Sequence, residues 1–456
     1  MRRLTLALLF GLAACAPTDR AEVTKRGPPE SGQFAVLPAM KSFARLAAAA
    51  PTRSNANIAA DFMDLEFRLE SGRALPVFTR FEGPIGVRLR GDVPPTAAAD
   101  LGRLITRLQT EAGINIALAQ ADDAQVTIEF LPRKKLQAHV PTAACFVAPR
   151  VGSWTEYRTS RRRGVLDWTT LTRREKVAIF VPSDTSPQEV RDCLHEELAQ
   201  ALGPLNDLYR LPDSVFNDDN FHTVLTGFDM LILRLHYRPE LRNAMTEAQV
   251  AALLPALLAK MNPKGEFASN GPATVGPRDW VRLIETALGP TTKDGTRIKA
   301  AELALAIARA ESWADNRLAF SYFAVARLSL GKDVGRAVTS FAEATRIYRS
   351  LPDGPVHTAH VDMQMAAFAL SSGQPEVTVN LANNAIPVVT RAENAALLAT
   401  FMLLKAQALD QLGRADEARA VRLDSLGWAR YGFGSDDNVR ARISDIAALS
   451  PLGIGG

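Results

Sequence analysis

The chain has 456 residues, of which 47% are hydrophobic and 22% charged, and its formal net charge at pH 7 is +4. This length allows two or three domains, and the mixture of both charge signs argues against nucleic acid as a partner. After the N-terminus, the sequence contains no apolar run of the roughly 20 residues that a transmembrane helix needs.

The first 14 residues have the pattern of an export signal. Two arginines precede a short apolar run, which ends in Leu12-Ala13-Ala14-Cys15. A basic start, an apolar core and small residues before the cleavage point are typical of a secretory signal peptide. The last four residues also resemble the bacterial lipobox, which implies that Cys15 is acylated and becomes the mature N-terminus. An ordinary signal peptide with a chance cysteine is the alternative.

This resemblance implies a bacterial cell-envelope protein on the periplasmic side of a membrane, held there by lipid on Cys15. Acyl chains anchor firmly because each buried methylene contributes about 0.8 kcal/mol. Ala16, which follows the cysteine, favours the outer membrane. Residues 15–57 are rich in Pro, Ala, Arg and Ser and are expected to form a flexible tether. Export also favours a disulfide between Cys145 and Cys193 over two buried thiols.

Residues 58–245 combine strand and helix patterns. Apolar alternation and apolar runs predict strands, while apolar residues at helical spacing predict two longer helices. The strands are expected over residues 77–81, 85–89, 126–131, 146–151 and 177–181, and the helices over residues 96–112 and 187–202. Gly203 and Pro204 end the second helix. The order predicts an α+β domain.

The next segment, residues 246–295, is predicted to be a helical connector. It contains two helical patterns, over residues 247–261 and 280–288, separated by a stretch rich in Gly, Pro and Asn. At the other end of the chain, residues 435–456 are expected to form a C-terminal tail.

Residues 296–434 are predicted to be all-α and repetitive. Turns at Gly331, Gly373 and Gly413 recur about every 40 residues, each between two helix-length apolar patterns. The arrangement resembles degenerate tetratricopeptide-type repeats, with an irregular helical bundle as the alternative. Stacked repeats present extended concave surfaces, so this resemblance implies a protein partner.

The helix predicted over residues 187–202 carries the densest group of polar residues. Its His195-Glu196 pair has the start of a zinc-protease signature, but the residue four positions after His195 is Ala199. Zinc binding by this signature needs two histidines at positions i and i+4, on one face of the helix. In this register the signature therefore fails.

Shifted by one residue, the segment resembles the metzincin proteases, especially the matrixins, which have His-Glu-x-x-His-x-x-Gly-x-x-His. The glutamate of that pattern falls on Glu197 and the glycine on Gly203. The three zinc-ligand positions are occupied by Glu196, Gln200 and Asn206. The resemblance implies a zincin-like fold whose zinc histidines have been replaced.

Two later segments continue this resemblance. Phe216 follows a Ser-Val pair where matrixins have the methionine of the Met-turn, and residues 225–237 resemble the last matrixin helix. The Glu-Glu-x-x-Gln-x-x-Gly motif and residues 428–434 also look like a family of uncharacterised proteobacterial lipoproteins with a domain of unknown function. That second resemblance implies no established activity.

The residues at the ligand positions argue against zinc. Gln200 and Asn206 offer neutral amide oxygens, which are poor zinc ligands. Calcium accepts carboxylate and amide oxygens, so Glu196, Gln200, Asn206 and Asp207 could hold a divalent ion. We favour instead a cleft without a cofactor, in which Glu196, Glu197, Gln200 and Asn206 form a hydrogen-bonded polar cluster. A polar helix face followed by a turn is the alternative.

Three hypotheses for function follow. The first is a non-catalytic binding or scaffold protein with a pseudo-protease domain and protein-binding repeats. The second is a metal-dependent peptidase with unusual ligands, in which Glu197 acts as the base. The third is a purely structural lipoprotein. Outside the motif, His357 and His360 lie three residues apart on a predicted helix and are expected to be a solvated pair.

Overall fold

The structure is a computed structural model that describes residues 37–43, 49–119, 124–141, 143–269, 271, 274–289 and 292–449. The predicted signal peptide, the predicted lipidation site at Cys15 and much of the predicted tether lie outside these residues. From Pro38 onward the described residues form one compact unit.

Five strands form a mixed sheet in the order β2-β1-β3-β5-β4. β1, β2, β3 and β5 run parallel, and β4 lies antiparallel to β5 at one edge. The central strands β3 and β5 are buried along their whole length, which explains their continuous apolar sequences. The strands are β1 (Ile85–Gly91), β2 (Ile116–Leu118), β3 (Val126–Leu131), β4 (Phe146–Pro149) and β5 (Val177–Pro182).

Seven helices accompany this sheet within the described part of residues 49–269. Helix α5 begins where the Ser186 hydroxyl accepts a hydrogen bond from the Glu189 amide, with Pro187 in the first turn, a position that suits its fixed φ. The helices are α1 (Asn55–Phe67), α2 (Ala97–Glu111), α3 (Arg133–Gln137), α4 (Trp154–Ser160), α5 (Pro187–Leu202), α6 (Gly227–His236) and α7 (Glu247–Met261).

The rest of the described chain is helical. Gly331, Gly373 and Gly413 lie in the turns of three successive helix pairs, with φ of 78°, 69° and 72°, a conformation that favours glycine. The predicted repeat-like helical region is confirmed. The helices are α8 (Arg278–Leu288), α9 (Asp294–Ala310), α10 (Asn316–Ser329), α11 (Val334–Ser350), α12 (Pro355–Ser371), α13 (Pro375–Arg391), α14 (Ala395–Gln411), α15 (Ala415–Phe433) and α16 (Asp436–Ala447).

The two helices of the predicted connector belong to different hydrophobic cores. Helix α7 packs with α1 and the sheet, through buried residues such as Leu254 and Leu258. Helix α8 packs with α9 and α10, and its Trp280 is buried there. The connector is therefore shared between the α/β region and the helical region. Across the part of the chain that the structure describes, none of the helices combines the length and apolar character required to cross a bilayer.

Three segments differ from the sequence predictions. Residues 77–81 form no strand, because Phe78 exchanges backbone hydrogen bonds with Ala244 and Met245, in the loop before α7, instead of joining the sheet. The predicted tail contains helix α16. The flexibility predicted for the tether does not extend to residues 38–43, since the Lys41 amide donates to the Gly427 carbonyl of α15 at 3.1 Å.

Candidate functional site

A disulfide links the residue before β4 to the middle of helix α5. Cys145 and Cys193 are bonded, with their Cα atoms 6.0 Å apart, as the sequence predicted. The bridge is adjacent in sequence to the motif, because Glu196 follows Cys193 by one helical turn.

The side chain of His195 serves a structural hydrogen bond and does not bind a metal. Its Nδ1 accepts a hydrogen bond from the Leu225 amide at 3.1 Å. Burial lowers the pKa of His195 well below its usual value, and the positive charges of Arg191 and Arg107 add to this effect. The imidazole is therefore a neutral, buried acceptor that fixes the segment before α6.

The predicted ligand positions do not converge on one point. The Gln200 Nε2 donates to Asp207 Oδ2 at 3.0 Å, whereas the Asn206 Nδ2 donates to the backbone carbonyl of Asp64 at 2.9 Å. The amide of Gln200 thus holds Asp207 in the cleft, while the amide of Asn206 joins the chain to α1. Gln200 and Asn206 therefore donate to groups outside the predicted polar cluster, to Asp207 and to the Asp64 backbone.

Gly203 ends α5 where the backbone passes very close to a neighbouring side chain. An added Cβ would lie 2.9 Å from Nδ1 of His236, which is itself 2.8 Å from Glu66 Oε1. The last carbonyls of α5 accept hydrogen bonds from the buried Arg174, including that of Ala201 at 2.8 Å. A side chain at position 203 would collide with His236. The close approach therefore explains the glycine without a zinc site.

The segment in the place of the Met-turn is held by a network at the start of α6. The Ser214 hydroxyl donates to Asp229 Oδ1 at 2.5 Å and accepts from the Phe216 amide at 3.0 Å. Asp229 also completes a capping box with Thr226. Phe216 is fully buried in the core beneath this turn.

Several carboxylates surround the cleft beside α5. Burial and the charges of nearby carboxylates together raise the pKa of Glu196 to about 8 and that of Asp218 to about 7, and Glu70 contributes to both values. Burial also raises the pKa of Asp207 well above its usual value, together with the charges of Asp218, Glu70 and Glu196. Within the described chain, the charged groups that shift these three pKa values are all carboxylates.

Glu197 lies deeper than the other members of this acidic group. It is 5% exposed, whereas Glu70 and Asp218 reach solvent. Burial raises the pKa of Glu197 well above its usual value, and the charges of Glu196 and Glu70 raise it further. Its Oε2 is buried without a hydrogen-bond partner among the described residues, as is Oδ1 of Asp207.

A cavity of about 430 Å³ lies between α5, α12 and α14. Glu196 and Asp192 of α5 line it, together with His222 and with His360 of α12. Burial lowers the pKa of both imidazoles to about 3, and nearby histidines add to the shift. The rings are therefore neutral at physiological pH.

The prediction of a solvated histidine pair is wrong. His357 is fully buried, and its Nε2 lies 3.1 Å from Asp219 Oδ2. His360 stacks on Phe221, with ring centroids 4.3 Å apart. The helical spacing correctly placed both residues on α12, but the face of α12 that meets residues 219–222 could not be read from spacing alone.

The chain thus combines an α/β region that holds an acidic cleft with an all-helical region. Residues 55–256, from α1 into α7, match the family model of a protein of unknown function (DUF2927). This match confirms the predicted domain of unknown function, and it includes the sheet, α5 and the cleft. No curated protein matches the chain. No solved structure matches it either.

Zinc does not fit the residues at the metzincin ligand positions. Glu196 alone carries a donor that zinc prefers, and the amides of Gln200 and Asn206 already donate hydrogen bonds within the protein. In the part of the chain that the structure describes, no group of three or more His, Cys, Asp and Glu side chains is arranged to hold a metal ion. The arrangement offers hydrogen-bond acceptors and negative charge instead.

Proposed function

We propose that the protein is a membrane-anchored periplasmic lipoprotein that binds or scaffolds another protein and does not catalyse a reaction. The observation that carries the proposal is the internal use of the motif residues. Gln200 holds Asp207, and Asn206 holds the backbone of Asp64. A zinc-activated water needs an open coordination position on a strong Lewis acid, which this donor set does not provide.

The zincin-like part of the proposal is supported by the order of the elements. The strands and α2 precede α5, which carries the motif, and a buried turn with Phe216 leads into α6. The motif, Phe216 and α6 follow one another as the metzincin resemblance implies. In this interpretation the domain keeps the framework of a protease cleft, with carboxylates and amides at the former ligand positions.

The scaffold part is supported by the helical region, where successive helices pack as pairs joined by glycine turns. Such arrays offer long surfaces to a partner without needing a reactive site. Lipid on Cys15 would keep this surface near the membrane, where an envelope protein partner is available.

The test is cross-linking of the full-length lipoprotein in intact cells, followed by affinity purification from solubilised membranes. We expect a specific protein partner that is recovered with the wild type and lost with a Cys15→Ser variant that stays outside the membrane fraction. Absence of any specific partner in both would contradict the scaffold function. Stoichiometric zinc, with peptidase activity lost in Glu197→Gln, would instead support the peptidase.

A further inference from the structure

We propose that an exposed basic surface on α3 and α4 docks on the anionic headgroups of a phospholipid membrane. This inference rests on the proposed function, because the lipid anchor would keep the surface within reach of a bilayer. The basic surface is formed by six exposed side chains, those of Lys134, Lys135, Arg158, Arg161, Arg162 and Arg163.

The positive charge of the protein is concentrated in the segment that carries this surface. Residues 132–163 contain eight Lys and Arg residues and a single acidic residue, Glu156. The formal net charge of the segment is therefore +7, whereas that of the whole chain is +4. The rest of the chain is negative on balance, so the basic surface is a local feature and not a property of the protein as a whole.

The acidic groups beside this surface are occupied by other cations. The carboxylate of Glu156 pairs with Lys176 at 2.9 Å. Arg133, at the edge of the basic surface, pairs with Glu189 of α5. Within the described part of the chain, none of the six side chains of the basic surface forms an ion pair. Their charges are therefore available to an external anion.

The two short helices that carry the basic side chains belong to one surface. Leu136 of α3 is buried in the same small hydrophobic cluster as Trp154 and Tyr157 of α4. Just after α4, the Arg161 guanidinium donates to the carbonyl of His139, just after α3, at 3.2 Å. Because both helices bury their apolar sides in one cluster, their exposed basic side chains lie together on its outer side.

The chain enters the folded part of the protein close to this surface. Pro38 is the first residue of the compact unit, and its carbonyl accepts a hydrogen bond from α15 at 2.8 Å. At the end of α15, an added Cβ on Gly434 would lie 3.3 Å from the Cα of Ser186, the N-cap of α5. The first turn of α5 carries Glu189, which pairs with Arg133 at the edge of the basic surface. An anchor before Pro38 would thus hold this surface near the bilayer.

Headgroup phosphates are the chemistry that such a surface fits. Arginine forms two parallel hydrogen bonds with a phosphate, and lysine binds it as a point charge. Each Lys or Arg near an anionic membrane strengthens binding about fivefold. This attraction decays over about 8 Å at physiological ionic strength, so it acts only when the surface lies against the headgroups. A bilayer presents many phosphates in one plane, which matches cations spread over two helices.

Co-sedimentation of the purified full-length Cys15→Ser chain with lipid vesicles tests this proposal without a contribution from acylation. The vesicles are either pure phosphatidylcholine or phosphatidylcholine with one-third phosphatidylglycerol. We expect at least tenfold stronger binding to the anionic vesicles at low salt. The preference should disappear in about 1 M salt, where the Debye length falls to about 3 Å.

Variants of the basic surface locate the binding. Replacing Arg158, Arg162 and Arg163 together by glutamine should weaken binding to the anionic vesicles at least tenfold, because three charges are removed. Binding to the neutral vesicles should not change. Replacing Lys134 and Lys135 by glutamine should weaken binding to the anionic vesicles at least threefold, because α3 contributes to the same surface.

A triple variant of the helical region is the matched control. Replacing Lys299, Arg327 and Arg391 by glutamine removes three exposed positive charges from α9, α10 and α13. The net charge changes as much as in the triple variant of the basic surface, but binding should change less than threefold. Equal losses in the two triple variants would overturn the proposal, because they would indicate attraction through net charge alone.

Two other results would overturn the inference. One is equal binding of the Cys15→Ser chain to neutral and anionic vesicles. The other is binding to soluble polyphosphate without binding to anionic vesicles, which would indicate a soluble polyanion as the partner. Neither result bears on the scaffold function, which the cross-linking experiment tests by recovery of a protein partner. Conversely, a preference for anionic vesicles without a recovered partner would reject the scaffold function alone.

Discussion

Replacing Glu196 by glutamine should stabilise the protein at alkaline pH. Burial, aided by the charges of Asp218, Glu70 and Asp192, raises the pKa of Glu196 to about 8, from an ordinary value of 4.5. Between these two values the folded protein binds more protons than the unfolded chain, so the free energy of unfolding falls as the pH rises through this window. Above pH 8 the full penalty of an ionised Glu196 is present.

The size of the effect follows from the shift. Each pKa unit corresponds to 1.36 kcal/mol, so the shift from 4.5 to about 8 gives an upper limit of about 5 kcal/mol. Because Glu196 is partly exposed, solvent screening reduces the expected gain to about 1–3 kcal/mol at pH 9. At pH 4, where the wild-type carboxyl is protonated in the folded state, the gain should disappear.

Urea denaturation of the wild type and Glu196→Gln at pH 4, 7 and 9 measures this difference. Glu376→Gln, which alters an exposed carboxylate on α13, is the control and should show no comparable pH dependence. A Glu196→Gln variant that is less stable than the wild type at pH 9 would refute the reasoning. So would a gain of equal size at all three pH values.

Three further predictions concern stability. Phe216→Ala should cost about 3–5 kcal/mol in urea denaturation, because the ring is fully buried; a loss near zero would contradict its role as the floor of the turn. Replacing Cys145 and Cys193 by serine should cost about 2–4 kcal/mol, because the bridge closes a loop with a sequence separation of 48; unchanged stability would exclude this contribution. Burial lowers the pKa of His222 and His360 to about 3, so the unfolded chain takes up protons first and stability is lost as the pH falls from 6.5 towards 3. Glutamine at both positions should reduce that loss by about 1–3 kcal/mol at pH 4.5, and an unchanged slope in urea denaturation would contradict it.

Elements with a strong local pattern could be predicted from the sequence. The helix predicted over residues 247–261 has the bounds of α7, and the apolar runs at β3 and β5 predict the strands that form there. Periodicity records which side of an element faces the core, so these assignments need no knowledge of the partner. Residues 77–81 show the limit of such predictions. Their apolar residues alternate as in a strand, but the backbone of Phe78 pairs with the loop before α7 and not with the sheet.

The site could be predicted only in part. Glu196, Glu197, Gln200 and Asp207 were recognised because they lie in one continuous motif. Glu70 has no motif of its own, and its role in the acidic cleft depends on the end of α1 lying beside the segment after α5, where the Leu205 amide donates to the Leu65 carbonyl. Asp218 also belongs to no motif, because no regular spacing connects it with the polar residues of α5. No local signal predicts that such distant carboxylates share a cleft.

The contact between residues 38–43 and α15 determines the point at which a lipid anchor would pull on the folded part of the protein. Phe43 stacks on Trp428, with ring centroids 4.6 Å apart, and Arg430 donates to the Pro38 carbonyl. With lipid on Cys15, as we propose, the 23 residues to Pro38 could span at most about 80 Å. Mechanical pulling on the anchor would then act first on α15 and also on α5, because the Arg191 guanidinium lies 5.9 Å from the Phe43 ring.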